Sequence, residues 1–460
     1  MSDSLVAALT AICGADGVLT AAADLQAYLT DWRGVFTGNA LAAVRPPNTS
    51  AVAACMRACA QAGVAIVPQG GNTGLAAGAT PLGLDRAVVI SLSRMRTIRA
   101  LDAPGFTMSV DAGCVLRDVQ DAAAQAGRLF PLSLAAEGSA QIGGLISTNA
   151  GGTAVLRFGS MRSLVLGLEV VLPDGSIADG MRALRKDNAG YDWKQLFVGA
   201  EGTLGIITGA VLRLYARPAY RATALLGVDS AEAAIAVFGD LQESLGEALV
   251  GCELFGDRAL ELRLRYESGL VRPIAAHAWY LLVEAASALP SLREGVEAAL
   301  ATAIDRGRAG DCILAESSAQ SDALWAWRET ITEHERRAGR SAKHDVSVAI
   351  SSIPAFLARA TGAVEQSHPG AAVLAFGHVG DGNIHFNVLL GDANATDVNR
   401  TVHATVREFG GSITAEHGIG RYRAQELSDH RSASEMALMR AVKRAIDPEG
   451  RMNPGAVFGD

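Results

Sequence analysis

Three glycine-rich loops interrupt the first half of this 460-residue chain, each set beside a β-rich segment. They read "QGGNTGLAAGA" (69–79), "EGSAQIGGLISTNAGGT" (137–153) and "GAEGTLGIIT" (199–208), and together they span about 140 residues. Without a Cβ, glycine lets backbone come close to a ligand and turn its N–H groups inward, which suits phosphate. The first loop follows the strand-like "VAIVP". It is not a Walker loop, because no Gly-Lys-Ser/Thr follows. It is not a Rossmann fingerprint either, because Gly70, Gly71 and Gly74 do not give G-x-G-x-x-G at the opening of a helix. One such loop is an ordinary surface turn as readily as a ligand cradle; three in succession point to a bound cofactor.

The length calls for two or three domains. Apolar residues at 49% and charged residues at 19% describe a packed globular chain. A net charge of −8 excludes general attraction to nucleic acid or acidic membrane. No apolar run approaches the roughly 20 residues needed to span a bilayer. The N-terminus "MSDSLVAALTAICGADGVL" lacks a basic n-region, so a cytoplasmic protein with reduced cysteines is expected. Cys55 and Cys59 lie close together in "SAVAACMRACAQAG", which reads as an Ala-rich amphipathic helix; a metal pair there would lack a second pair to complete it.

"VAIVPQ", "RAVVISLSRM", "FTMSVDAG" and "LVLGLEVVLPDG" read as strands, and "LRDVQDAAAQAG" as a helix stopped by Gly127. After "LRLYARPAY" helices and strands alternate, giving an α+β domain from about Arg217 to about Gly410. "SDALWAWRETITEHERRAG" reads as one long helix, which places Arg328 and Thr332 on one face. Lys343 lies fifteen residues beyond Arg328. A surface Arg and Lys are the ordinary reading of such positions.

"AFGHVGDGNIHFNVLL" reads as a hairpin with Asp381-Gly382 as its two-residue loop. Counting outward pairs Gly380 with Asn383, Val379 with Ile384 and His378 with His385, and puts Asn387 on the same face. Two imidazoles and an amide then aim at one point. That suits a metal; two half-buried histidines bonded to backbone are the alternative.

In combination these motifs are specific. "VPQGGNTGLAAGA", "GSAQIGGLISTNAGGT" and "EGTLGIIT" resemble the flavin-binding domain of the vanillyl-alcohol oxidase/p-cresol methylhydroxylase superfamily. "GHVGDGNIHFN", "AEHGIGR" and "DPEGRMNPG" resemble its D-2-hydroxyacid dehydrogenase branch. The resemblance runs from about Arg45 to Gly455 in the family's order. It implies an α+β fold in three parts: a two-subdomain FAD-binding domain (1–216), an α+β substrate or cap domain (217–410), and a C-terminal segment returning to the flavin (411–460).

The resemblance also implies roles. Pro68, Gly70, Gly71, Asn72, Thr73 and Gly74 would wrap the FAD pyrophosphate. Ser139, Gly143, Gly144 and Asn149 would lie near the isoalloxazine, Ile206 and Ile207 near the adenine, and Asn453 would be a C-terminal flavin contact. No histidine precedes His277, so a noncovalent flavin is expected, with Cys114 a formal candidate for a tether. His378, His385 and Glu416 match the family's metal ligands; zinc is preferred, with manganese or iron possible. His417 is the implied base and Asn387 an implied substrate contact. Arg328, Thr332 and Lys343 resemble the set that holds a distal carboxylate in D-2-hydroxyglutarate dehydrogenases.

The implied reaction is flavin- and metal-dependent oxidation of D-2-hydroxyglutarate, with D-malate a shorter alternative. D-lactate or glycolate oxidation is the runner-up. Electrons would leave to an electron-transfer flavoprotein, a quinone or a cytochrome, from an expected homodimer. A zinc hydrolase and an inert flavin binder are the rivals from other classes.

Overall fold

The computed structural model describes residues 2–459 and divides into two compact units. The first comprises 1–152, 159–217 and 416–460; the second comprises 153–158 and 218–415. Relative to the expected divisions, residues 411–415 fall in the second unit, and so does a six-residue piece that follows the second glycine loop.

The first unit holds a four-stranded sheet ordered Val18–Leu19, Ala42–Val44, Ala87–Ser91, Ala65–Gln69. Its last three strands run parallel, and Ala87–Ser91 is buried throughout, as a sheet covered on both faces requires. The helix Thr49–Gln61 connects two of them. Asn48 caps it by accepting from the Ala51 amide, and Val52, Cys55, Met56 and Cys59 recur at helical spacing on its buried face. Cys55 Sγ lies 3.4 Å from Cys13 Sγ, so these cysteines are packed thiols of the core.

A second, antiparallel sheet follows the order Ile98–Asp102, Thr107–Asp111, Ile206–Arg213, Val165–Val171, Ile177–Asp179. Arg99 ties it together, donating to Asp111 at 2.6 Å and Glu169 at 2.8 Å. The register shifts at Thr208, whose hydroxyl donates to Glu169 at 2.9 Å. That bulge lies at the mouth of the third glycine loop, where the strand begins at Ile206.

The second unit is built on an eight-stranded antiparallel sheet. The order is Asp311–Leu314, Tyr220–Val228, Trp279–Ser287, Leu249–Gly256, Ala372–His378, Asn383–Leu389 and Ser341–Ala342, with Asp345–Ser347 also pairing to Asn383–Leu389. Phe255, Tyr280, Leu282, Trp327, Ile331 and Phe376 form its core beneath the helices that carry Arg328 and Glu335. Burying a side chain such as Phe376 is worth about 1.5–3 kcal/mol, so this layer fixes those helices on the sheet. Residues 153–158 join the unit through Arg157, which donates to the Ala286 carbonyl at 2.7 Å. Leu156 fills the space that a Cβ on Gly380 would need.

Candidate active site

In the first unit the three glycine loops converge. A Cβ on Gly71 would stand 1.9 Å from the Ser139 carbonyl oxygen, so the first loop packs backbone to backbone on the second. A Cβ on Gly202 would stand 3.0 Å from Pro68, which brings the third loop onto the first. The Glu201 amide donates to Ser147 at 2.8 Å, closing the third onto the second. Asn453 completes the set: its side-chain amide donates to the carbonyls of Gly78 at 2.9 Å and Glu201 at 2.7 Å. Asn72, Asn149, Glu201 and Asn453 all have positive φ, between 46° and 52°. Non-glycine residues rarely adopt this conformation, and it concentrates where backbone is shaped for a ligand.

Two observations fit a bound flavin nucleotide. Gln141 Oε1 is buried between the first and second loops with no hydrogen-bond partner among the described residues. Apart from their own chain neighbours and, for Gly144, its own helix, nothing lies within 4 Å of where a Cβ would stand on Gly74, Gly138 and Gly144, so backbone faces open space there. Ile206 and Ile207 are buried at the start of their strand, paired to Val171 and Val170. Asn149 accepts from Ser160 and the Arg162 amide, both at 2.9 Å. Asn72 donates to Thr30 at 2.8 Å. The Cys114 thiol donates to the Thr97 carbonyl, and burial pushes it up to about 12.

Glu201 was not singled out in the sequence. It accepts from the amides of Ile419 at 2.8 Å and Gly420 at 2.7 Å, clamping the "AEHGIG" segment to the third loop. Burial raises its carboxyl above the usual range despite those two amides.

In the second unit the histidine hairpin differs from its sequence reading. Its loop runs from Val379 to Gly382, with Val379–Asp381 forming one turn of 3₁₀ helix and only Gly382 left-handed, at φ +81°. Asp381 accepts from the Asn383 amide at 3.0 Å instead of occupying a type I′ turn, which needs positive φ at both central residues. The register therefore pairs His378 with Asn383 and Phe376 with His385. Phe376 and His378 share a face, so the two imidazoles still meet, diagonally, with ring centroids 5.8 Å apart. The chain leaves this unit at Ala415, whose amide donates to Asp345 at 3.2 Å, and Glu416 follows directly. Ligand atoms of His378, His385 and Glu416 lie within 4.8 Å of one another, a group able to hold a metal ion. His417 Nε2 lies 3.6 Å from Glu416.

The expected long helix is also broken. It ends at Glu329 and restarts at Ile331, with Thr330 between them in helical conformation and its hydroxyl donating to the Ala326 carbonyl at 2.7 Å. Arg328 and Thr332 stand on either side of that junction, and Thr332 is exposed. Arg328 lies over the Phe376 ring, 4.6 Å from its centroid, and donates to Glu253 Oε2 at 2.7 Å. Glu253 Oε1 accepts a short bond from His378 Nδ1. Glu253 is wholly buried, which by itself would raise its carboxyl, but the charges and hydrogen bonds of His378 and Arg328 hold it near about 2. Lys343 pairs with Glu335 Oε2 at 3.3 Å, and Asn387 donates to the same oxygen at 2.8 Å. Asn387 also accepts from the His344 amide at 3.3 Å. Of the two acids, only Glu253 had a signal in the sequence: a lone carboxylate within the apolar strand "LVGCELFG", where a buried charge demands partners. Glu335 sits in the charge-rich "TEHERRAG", which looks like a solvated helix face.

Comparison with known proteins defines the class. Residues 40–180 match the FAD binding domain, and residues 217–457 match the C-terminal domain of FAD linked oxidases. The fold resembles p-cresol methylhydroxylase with a TM-score of 0.80, at 16% identity over 100% of this chain and 97% of that one. It also resembles alkyldihydroxyacetonephosphate synthase at 0.74, with 16% identity over 98% and 84% of the two chains. This is therefore an FAD-linked oxidoreductase fold. The chain belongs to the FAD-linked oxidase family, in its FAD-dependent D-2-hydroxyacid dehydrogenase branch. It is 38% identical to a D-2-hydroxyglutarate dehydrogenase of Xanthomonas citri pv. viticola over 100% of this chain and 98% of that protein. It is 36% identical to one of Stutzerimonas stutzeri over 96% of each. It is 34% identical to a Schizosaccharomyces pombe protein bearing a mitochondrial D-lactate dehydrogenase name, over 99% and 90%. Among the described residues, no helix is long and apolar enough to cross a membrane.

Proposed function

We propose that the chain oxidises D-2-hydroxyglutarate to the 2-oxo acid, using noncovalent FAD and a divalent metal. The observation that carries the substrate is identity with D-2-hydroxyglutarate dehydrogenases along the whole chain, together with cations at Arg328 and Lys343. Arg328, Thr332 and Lys343 hold the distal carboxylate, and D-malate presents the same group one carbon nearer. Asn387 contacts the substrate beside the histidines. His417 takes the hydroxyl proton.

Bound FAD supplies a two-electron acceptor for the Cα hydride, held by the loops at Pro68–Gly74, Ser139–Asn149 and Ile206–Ile207 and by Asn453. His378, His385 and Glu416 would hold a divalent cation, which would supply Lewis acidity toward the substrate hydroxyl. Two nitrogens and one carboxylate oxygen suit zinc, and manganese or iron also accept that set. Glu253 supports the reading by engaging Nδ1 of His378, which leaves Nε2 as the metal-facing nitrogen. An electron-transfer flavoprotein, a quinone or a cytochrome would serve as the external electron acceptor, and the working form would be a homodimer. D-lactate oxidation is the second reading, favoured by the S. pombe relative's name.

The test is His385→Ala and Glu416→Ala, assayed with an artificial dye. Both variants purify yellow, because the flavin loops are untouched, and neither turns over. Full activity in a metal-free preparation removes the metal from the account.

A further inference from the structure

Each cation assigned to the distal carboxylate already has a buried carboxylate of its own: Glu253 for Arg328, Glu335 for Lys343. The two acids are not equivalent. Glu253 also serves His378, so its charge is shared with a second partner. Glu335 is wholly buried on the helix Ile331–Ala338, and its Oε2 takes Asn387 and Lys343, while Oε1 has no hydrogen-bond partner among the described residues. A buried carboxylate with one orphan oxygen is costly, and an ammonium beside it offsets that cost. Lys343 therefore meets two claimants of one charge type: the protein's own carboxylate and the substrate's.

We propose that Glu335 is a specificity-determining residue that competes with the substrate's distal carboxylate for Lys343 and so weakens the preference for dicarboxylic over monocarboxylic 2-hydroxy acids. The proposal rests on the reading of Lys343 given above. Two carboxylates on one ammonium stand only a few ångströms apart, and their repulsion at an effective dielectric near 20 outweighs thermal energy several-fold. Glutamine at 335 keeps an acceptor for Asn387 and removes the charge, so Lys343 becomes available to the substrate. Binding of the distal group is felt equally in the ground and transition states, so the gain falls on KM and leaves kcat in place.

The experiment measures kcat and KM for D-2-hydroxyglutarate and D-lactate on wild type, Glu335→Gln and Lys343→Ala, with flavin content and Tm as checks of folding. Glu335→Gln is expected to raise kcat/KM for D-2-hydroxyglutarate about tenfold through KM, with D-lactate nearly unchanged. Lys343→Ala is expected to lower it for D-2-hydroxyglutarate alone, about ten- to a hundred-fold. If Lys343→Ala costs both substrates equally, the reading of Lys343 fails. If Lys343→Ala is selective but Glu335→Gln leaves the substrate ratio unchanged or lowers it, the competition inference is wrong and Glu335 merely holds Lys343 in its working position.

Discussion

Glu253 and His378 share a buried charge-assisted hydrogen bond, carboxylate to Nδ1, across neighbouring strands of the second unit's sheet. The strand register pairs the two residues directly, so the bond is fixed by the sheet and not by a loop. Arg328 takes the other carboxylate oxygen. One acid thus orients both His378, a proposed metal ligand, and Arg328, a cation proposed to meet the substrate. Glu253→Gln, whose amide cannot accept at both ends, should loosen metal retention about 10- to 100-fold while the protein stays yellow. Metal content after dialysis against graded chelator measures this. Retention equal to wild type would mean that His378 is oriented by something else.

The same acid makes stability depend on pH. Burial alone would raise its carboxyl, but His378 and Arg328 hold it down to about 2 in the folded protein, against 4.5 in the unfolded chain. Above about pH 4.5 the folded state keeps the full benefit of the ionised form; as pH falls toward 2 the unfolded chain takes up the proton first and the benefit disappears. Wild type should therefore exceed Glu253→Gln in unfolding free energy by on the order of 3 kcal/mol at neutral pH, with the gap closing in acid. Urea titrations between about pH 3 and pH 7 give the slope. A gap that widens in acid would contradict the ion-pair account.

The glycine loops separate packing from ligand approach. Gly71→Ala sets a Cβ 1.9 Å from the Ser139 carbonyl, so the first and second loops must part. Both Tm and flavin content should fall. In Gly74→Val the Cβ itself meets open space, so Tm should fall less than in Gly71→Ala, and the branched side chain should exclude the cofactor. Thermal melts and the ratio of flavin to protein absorbance distinguish the two variants. A fully flavinated Gly74→Val would move the pyrophosphate away from this loop.

Much of this architecture is legible in the sequence because it is local or periodic. The helix Thr49–Gln61 shows its cap and its apolar spacing, and Ala65–Gln69 and Ala87–Ser91 show unbroken apolar runs. Family resemblance singles out His378, His385 and Glu416 although they are 38 residues apart at their extremes (416 − 378). What escaped depends on tertiary choices. Asp381-Gly382 favours a two-residue turn, but the loop is four residues long, with Val379 buried and Val379–Asp381 in one turn of 3₁₀ helix. Nothing in the sequence marks Thr330 as the point where one helix ends and the next begins. Glu201 and Glu335 carry ordinary surface residue types, and only the fold supplies the amides that bind the first and the lysine and asparagine that bind the second.

The most direct test of the account is flavin reduction in a single turnover. The purified yellow protein is mixed anaerobically with D-2-hydroxyglutarate, its L-enantiomer or D-lactate, and the flavin absorbance is followed by stopped flow. The account predicts complete bleaching by D-2-hydroxyglutarate, slower bleaching by D-lactate, none by the L-enantiomer, and no bleaching by any of them after the metal has been stripped. Rapid bleaching by D-lactate with D-2-hydroxyglutarate inert, or undiminished bleaching in metal-free protein, would contradict it.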